Sequence, residues 1–409
     1  MVLSLRTVPI QARRVAFAAS LAFYLDAATV ICVAISLPVW RDEYALTAWD
    51  VGLLGSGLSF AIAAGAVAGG RLGDAIGRGK VFTGDLVIFV LGASLIALAA
   101  SPGMLLTGVM ISGLAAGADI PTALAVIGDV APEGTQGRLV ALTQVMWIAA
   151  ILLTYALGFL VSRFGFPGIR TLSWYLLVVA LATLAMRLSV GRPAVHERTA
   201  TSITRASWSR LGRPAVLWPL LATGAFYLFW SIASATLGGF GTYFLVTVTE
   251  LTLTEATGLV LITFPPALVM SLIFVRLADS PWRDRLFVVA MIVQVAAFIV
   301  GAVSGGAAAG GMICLVALYG LSNVFAGEAI YKVWSQLLLP ADVRATGVGL
   351  TYAVARAVAA SVMLLVPTII ETRADALLWL LAGCVAVSGL VGLVITRRRE
   401  WSGLLRPGG

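Results

Sequence analysis

The feature that most constrains this sequence is a series of apolar runs, each long enough to cross a bilayer, which short polar connections separate. Of the 409 residues, 60% are hydrophobic and only 11% are charged, whereas roughly a quarter of the residues in soluble domains are charged. Irregular backbone at bilayer depth leaves hydrogen-bonding groups unsatisfied, so the spanning segments must be helical. The sequence therefore predicts an all-α membrane protein with twelve transmembrane helices.

The apolar runs group into two sets of six. We expect helices at 15–37, 51–70, 81–100, 104–129, 138–161 and 170–190, then at 215–246, 256–277, 286–304, 309–338, 345–369 and 375–396. The predicted domains are an N-terminal six-helix bundle over 1–190, a cytoplasmic linker over 191–214, a C-terminal six-helix bundle over 215–396 and a cytoplasmic tail over 397–409.

The positions of the 27 Lys and Arg residues indicate the role of the net charge of +8. Most of them lie on one set of alternating connections, which includes both termini and the group from Arg187 to Arg213 around the polar linker. Positive charge concentrates on the cytoplasmic side of membrane proteins. We therefore predict a multi-pass protein of the inner (plasma) membrane with both termini in the cytoplasm, and no nucleic-acid partner.

One charged turn occurs twice in the chain. The sequence G-R-L-G-D-A-I-G-R-G-K-V-F, from Gly70 to Phe82, is matched 205 residues later by V-R-L-A-D-S-P-W-R-D-R-L-F, from Val275 to Phe287. Each turn lies between two long apolar runs, so each is a short link between membrane helices. The repeat predicts two related six-helix halves.

The turn resembles the loop between the second and third helices of the major facilitator superfamily, and Gly70, Leu72, Asp74, Gly77 and Arg78 carry the match. The resemblance implies two pseudo-symmetric six-helix bundles that transport by alternating access. Each turn has an i,i+4 pair of opposite charges, Asp74 with Arg78 and Asp279 with Arg283. We expect these pairs to stabilise one conformer of the transporter. The expected gating residues are Gly70, Asp74, Gly77, Arg78, Asp129, Glu133, Arg138, Asp279 and Arg283.

Ionisable side chains inside the apolar runs are costly to insert and therefore indicate function. Asp26 lies in the middle of the first predicted helix and Asp119 in the fourth. A carboxylate that moves between wet and dry surroundings binds and releases a proton. We predict proton coupling for both, with hydrogen bonding in helix packing as the alternative. Asp85 lies nearer a helix end, where we expect gating or structural contacts.

Glu328 and Lys332 are four residues apart and share a helical face. They form either a structural ion pair or part of a substrate or proton-linked site. Arg356, in the next predicted helix, either competes for Glu328 or pairs with a carboxylate substrate.

Polar and aromatic groups at helical spacing suit a polyhydroxylated ring, because aromatic faces stack on C–H groups while amides and hydroxyls bond the hydroxyl groups. Interfacial belts and helix packing are the alternative for each aromatic. The predicted substrate-binding residues are Tyr24, Gln144, Trp147, Tyr227, Trp230, Asn323, Glu328, Tyr331, Lys332, Trp334 and Arg356.

Two further segments, from Gly117 to Glu133 and from Gly327 to Pro340, resemble the sugar and metabolite:proton symporter branch of the superfamily, most closely its bacterial inositol-type members. In that branch an acid of the first helix is implicated in proton coupling, a role that the resemblance gives to Asp26. The paired glutamines expected in the seventh helix of sugar porters are absent from Phe226 to Tyr243. Lys332 is unusual for a neutral sugar, so an anionic substrate such as a sugar acid stays open.

The sequence offers no catalytic or cofactor-binding constellation. His196 has no Cys or His companion, the three cysteines lie in separate apolar runs, and Gly79-Lys80 lacks the rest of a phosphate-binding loop. We predict a monomeric secondary transporter, not an enzyme, that uses the proton gradient without a cofactor to import a sugar, polyol or sugar acid. The alternatives are a proton-driven exporter of a drug or secreted metabolite, and a membrane receptor or enzyme that does not transport.

Overall fold

The computed structural model describes residues 9–398 except 77, 133–135, 192–211, 278–279, 281 and 305–308. Most of the described residues are helical, and none of them is in a strand. In the first half the helices are α1 (Ile10–Glu43), α2 (Ala48–Ile76), α3 (Arg78–Ala97), α4 (Pro102–Val130), α5 (Gln136–Val161) and α6 (Gly165–Val190), with a 3-10 turn at Ser162–Phe164. In the second half they are α7 (Pro214–Val248), α8 (Leu253–Leu277), α9 (Trp282–Val303), α10 (Ala309–Ser322), α11 (Glu328–Leu338) and α12 (Ala341–Arg397).

Nine helical segments of the described chain are long and apolar enough to cross a membrane. Two of them, Val145–Val190 and Gly347–Arg397, have 46 and 51 residues, which is enough for two crossings each at a rise of about 1.5 Å per residue. The 3-10 turn divides the first, and Arg373, with a non-helical φ of −150°, divides the second. With α10 and α11 as one interrupted crossing, the described helices match the twelve predicted crossings.

The prediction of one continuous helix over 309–338 is wrong. Helix α10 ends at Ser322, and α11 begins only at Glu328. A Cβ atom on Gly327 would lie 2.3 Å from the carbonyl oxygen of Asn323 and 2.7 Å from Nε1 of Trp230. Only glycine allows this close approach, and glycine is also a weak helix former. The chain therefore breaks the helix where Trp230 of α7 approaches its backbone.

The chain divides into two compact units, Met1–Ala200 and Thr201–Gly409. In the first unit α4 packs closely against α2 through small residues. A Cβ on Gly65 of α2 would lie 2.0 Å from the carbonyl oxygen of Leu114, and one on Gly117 of α4 would lie 2.0 Å from that of Ile62. Small residues allow such close contact between membrane helices, and the contact fixes α4 two residues before Asp119.

In the second unit the main contact joins α7 to α12. Gly224 of α7 faces the side chain of Thr351, and the hydroxyl of Ser388 donates to the carbonyl oxygen of Phe226 at 2.8 Å. Beside this contact lies an aromatic core in which the Trp334 ring meets the rings of Phe226 and Phe287 edge-on at 5.0 and 4.9 Å.

The two units begin their second helix with the same cap, although the sequence match found above starts only at Gly70. The Thr47 hydroxyl accepts from the backbone N–H of Asp50 at 3.2 Å, and the Asp50 carboxylate accepts from the N–H of Thr47 at 2.9 Å. Thr252 and Glu255, 205 residues later, make the same two bonds at 3.2 and 2.8 Å. These are reciprocal capping boxes, which satisfy two of the free N–H groups of a helix start. The residues with positive φ just before the caps also correspond, and they are Ala45 (49°) and Glu250 (55°).

Candidate functional site

Four aromatic side chains of the second unit stack against one another in one cluster, which we name the aromatic platform: Tyr227 and Trp230 of α7, Tyr331 of α11 and Tyr352 of α12. Tyr227 is at the centre, with ring centroids 5.6 Å from Trp230, 4.3 Å from Tyr331 and 5.1 Å from Tyr352. The interplanar angles are 20–29°. Spacing of three residues places Tyr227 and Trp230 on one face of α7, as the sequence predicts.

Polar bonds hold the platform in place. The indole N–H of Trp230 donates to Oδ1 of Asn323 at 2.9 Å, in the break between α10 and α11. The hydroxyl groups of Tyr331 and Thr351 are 2.6 Å apart. Four predicted substrate residues, Tyr227, Trp230, Asn323 and Tyr331, therefore lie together at an interrupted helix, the kind of element that forms substrate sites in transporters.

Three charged residues of the second unit, Glu328, Lys332 and Arg356, lie beside the platform. Nζ of Lys332 is 2.6 Å from Oε1 of Glu328, as their spacing predicts. The Lys332 side chain is 57% exposed and that of Glu328 is 28% exposed. Nη2 of Arg356 donates to the Tyr352 hydroxyl at 2.9 Å, and Glu328 interacts electrostatically with both Arg356 and Tyr227. One carboxylate and two cationic side chains thus lie beside the aromatic platform.

Two other predicted aromatics lie apart from the platform. The ring of Trp334 is fully buried and packs on Phe226 and Phe287 rather than on the rings of the platform. Trp147, in the first unit, is 37% exposed. The side chain of Gln144, its neighbour on α5, lies outside the described set.

In the first unit Tyr24 joins three helices through hydroxyl groups. Its oxygen is 2.5 Å from that of Tyr175 on α6, which is 3.3 Å from Oγ1 of Thr154 on α5. Asp26, two residues further along α1, is half-buried. The hydroxyl groups of Tyr24, Tyr175 and Thr154 thus form a polar cluster between α1, α5 and α6.

The first unit also buries an ion cluster, which we name the DDR cluster after Asp85 of α3, Asp119 of α4 and Arg187 of α6. Nη1 and Nη2 of Arg187 donate to the two oxygens of Asp119 at 2.8 and 2.7 Å. Nη1 is also 3.6 Å from Oδ1 of Asp85. The guanidinium group lies 3.9 Å from the centre of the Phe82 ring. All three ionisable side chains are at least 95% buried.

This cluster corrects one expectation. Arg187 is not exposed with the other charges counted on the cytoplasmic face, because it lies within α6 and is 1% exposed. Asp85, near the start of α3, is 5% exposed and faces Arg187. Arg187 was not among the predicted site residues because it is close to the end of an apolar run. The signal was present, since Leu188 and Val190 continue the run beyond it.

Most of the predicted gating residues are only partly covered by the structure. Glu133, Asp279 and Gly77 lie outside the described residues. The backbones of Gly70, Asp74, Arg78, Asp129 and Arg138 are helical, and their side chains are outside the described set. Arg283, at the start of α9, is 3% exposed, and its Nε donates to Oδ1 of Asp284 at 3.0 Å. Within the described chain, no three His, Cys, Asp or Glu residues are grouped to hold a metal ion.

The family profile described as the Major Facilitator Superfamily matches residues 15–364. The chain belongs to the major facilitator superfamily. It is therefore a multi-pass membrane transporter and not an enzyme, and its two six-helix halves have the family's fold.

Several relatives and solved structures of this superfamily resemble the chain. The minor myo-inositol transporter IolF of Bacillus subtilis is 29% identical over 397 residues, which cover 92% of this chain and 89% of that protein. The galactose-proton symporter of Escherichia coli K12 is 28% identical over 176 residues, or 43% of this chain and 37% of that protein. The crystal structure of a D-xylose-proton symporter superposes with a TM-score of 0.74 at 15% identity, covering 93% of this chain and 96% of that one.

Proposed function

We propose that this chain is a proton-coupled symporter that imports a small polar metabolite, a sugar, polyol or sugar acid, by alternating access. The observation that carries the proposal is the aromatic platform at the break between α10 and α11. Its Tyr and Trp faces stack on the C–H groups of a ring, and its polar edge satisfies hydroxyl groups.

The residues at the polar edge have distinct roles in this proposal. Asn323 accepts from Trp230 through Oδ1, which leaves its amide N–H groups as donors for a substrate hydroxyl. Glu328 and Lys332 offer an acceptor and donors at a partly exposed position. Arg356 adds a second cation, so that a sugar carboxylate and a neutral polyol are both candidates.

The coupling to protons is supported by the relatives and by buried carboxyl groups. The galactose-proton symporter is a proton symporter by its name, and IolF is an inositol transporter by its name. The first unit contains Asp26 and Asp119, the two acids that the sequence predicts as proton carriers. We further propose that the protein acts as a monomer in the inner membrane, with both termini in the cytoplasm and no cofactor besides the proton gradient.

The test is uptake into proteoliposomes that hold the purified protein, with a pH gradient imposed across the membrane. The probes are radiolabelled myo-inositol, galactose, xylose and glucuronate. We expect at least one to accumulate against its gradient when the outside is acidic, and the accumulation to collapse with a protonophore. Uptake of none of these probes, together with acid-driven export of a cationic dye, would support the exporter instead.

The platform is tested by Trp230→Phe, which keeps the ring but removes the indole N–H bond to Asn323. Loss of one hydrogen bond to a neutral partner amounts to about 0.5–1.5 kcal/mol, so we expect the apparent KM for the transported probe to rise about two- to tenfold. Trp379→Phe is the matched control, because Trp379 on α12 is 49% exposed. An unchanged KM in Trp230→Phe would show that the bond between Trp230 and Asn323 does not contribute to substrate binding.

A further inference from the structure

The DDR cluster holds more negative than positive groups in a place that water does not reach. Asp85, Asp119 and Arg187 are 5%, 3% and 1% exposed. If both carboxyl groups were ionised, one negative charge would be buried without a balancing cation in the cluster. Unpaired buried charge is strongly unfavourable, and a carboxyl group in such a place takes up a proton instead.

The hydrogen bonds show which carboxyl group lacks its partner. Arg187 bonds both oxygens of Asp119 at 2.8 and 2.7 Å. Oδ1 of Asp85 accepts from the backbone N–H of Leu86 at 2.7 Å, whereas Oδ2 is buried and has no hydrogen-bond partner. One nitrogen of Arg187, Nη1, lies 2.8 Å from Oδ1 of Asp119 and 3.6 Å from Oδ1 of Asp85, so the two carboxyl groups are neighbours around the same cation. Two ionised carboxylates in this arrangement repel each other, whereas a protonated Asp85 is a donor for the Asp119 carboxylate.

The other groups around the cluster do not supply a second cation among the described side chains. From α4 the facing charged group is Asp119, and from α6 it is Arg187. Helix α1 contributes the carbonyl oxygen of Ala18, which accepts from Nε of Arg187 at 3.4 Å. Arg187 also donates to the carbonyl oxygen of Phe82 on α3 itself. The side chains of Arg71 and Asp74, at the end of α2, are outside the described set.

We propose that the DDR cluster is a proton-binding site, in which Oδ2 of Asp85 carries one proton and shares it with the carboxylate of Asp119. The bound proton makes the cluster neutral. When the proton leaves, Asp85 becomes an anion, and Arg187, already 3.6 Å from it, moves to bridge both carboxylates. Proton loss therefore changes the contacts that join α3, α4 and α6. That this proton is used to drive transport rests on the proposed function.

Infrared difference spectroscopy on the purified full-length protein tests the site without any transport. At neutral pH we expect the C=O stretch of a protonated carboxyl group in the wild type and its loss in Asp85→Asn. The asparagine amide keeps a donor toward Asp119, so this variant is expected to fold. A wild-type spectrum that Asp85→Asn leaves unchanged in the carboxyl region would overturn the proposal.

A second variant tests the same point with Asp85 left in place. In Asp119→Asn the one carboxylate of the DDR cluster left for Arg187 is Asp85, so Asp85 becomes its ion partner and its carboxyl band disappears as well. Persistence of the band in Asp119→Asn would contradict the shared proton. Asp50→Asn, at the exposed start of α2, is the control, and it should leave the band in place. Failure of the proposed function would show instead as absent uptake by a wild type whose spectrum follows these expectations.

Discussion

The two units differ in the group that packs against an equivalent phenylalanine ring. Aligned by the 205-residue offset of the repeat, Phe82 corresponds to Phe287 and Arg187 to Gly392. In the first unit the Arg187 guanidinium lies 3.9 Å from the centre of the Phe82 ring. In the second unit a Cβ on Gly392 would come within 2.2 Å of Cζ of Phe287. Both units have the phenylalanine ring. The group that packs against it is the guanidinium of Arg187 in the first unit and the backbone of Gly392 in the second.

The surrounding residues change with it. Asp85 corresponds to Ala290, which is 7% exposed and belongs to the aromatic core of the second unit. Trp334 packs on Phe287 in that core. A buried ionic cluster is a poor source of stability compared with well-packed apolar groups. The second unit shows that the repeat folds without the charges, so we infer that the first unit keeps them for function.

The largest expected effect comes from removing the cation of the first unit. Arg187→Met leaves Asp85 and Asp119 buried without a counter-ion, and breaking a buried pair in this way costs about 3–5 kcal/mol. We expect a much lower thermal unfolding temperature in detergent.

The triple variant Asp85→Asn, Asp119→Asn, Arg187→Met is the control for this experiment. It removes all the charges, as the second unit does, and should recover most of the lost stability because no buried charge is left unpaired. A single Arg187→Met variant as stable as the wild type would contradict the buried cluster.

A smaller effect is expected from filling the corresponding place in the second unit. Gly392→Ala forces a methyl group into the Phe287 ring, which Phe226 and Trp334 hold from other sides. Overpacking of this kind costs about 1–3 kcal/mol. Gly383→Ala, on the same helix, is the matched control, since a Cβ there meets nothing within 4 Å. Its stability should rise slightly, by up to about 1 kcal/mol, from better helix propensity. Equal melting temperatures for the two alanine variants would show that Gly392 is not in tight contact.

The smallest effect concerns the feature that the two units share. Thr47→Ala and Thr252→Ala each remove one capping hydroxyl, at a cost of about 1 kcal/mol. Because the two capping boxes have the same bonds, the two variants should lower the unfolding temperature in detergent by similar amounts. A large difference between them would show that the repeated geometry is energetically unequal.

The sequence predicts the helical architecture well because hydrophobic length is a local property. The apolar runs gave the crossings, and most predicted ends lie within a few residues of the observed ones, as for 138–161 against Gln136–Val161. The repeated turn predicted the two halves, and the spacing of four residues predicted the ion pair of Glu328 with Lys332.

The parts that the sequence did not predict depend on partners distant in the chain. Arg187 is buried because Asp119, 68 residues earlier, accepts both of its N–H groups. The break before Glu328 depends on Trp230, which approaches Gly327 from another helix. The hydropathy of one segment does not reveal contacts with other helices. Arg187 was therefore counted with the charges of the cytoplasmic face, and 309–338 was predicted as one helix. The capping residues Thr47 and Thr252 also lie 205 residues apart, so the sequence contains the signal for both caps. They lie outside the charged turn in which the repeat was recognised.

We propose that the two units have separate roles, in which the first unit binds the proton and the second binds the substrate. The most direct measurement is pH-driven uptake of a transported probe by Asp85→Asn and Trp230→Phe proteoliposomes, with Asp50→Asn as the control. Asp85→Asn should lose accumulation against a gradient while retaining slower counterflow, and Trp230→Phe should raise the apparent KM while retaining the dependence on the pH gradient. Acid-driven accumulation that is unchanged in Asp85→Asn, or a Trp230→Phe variant that loses only its pH dependence, would contradict the account.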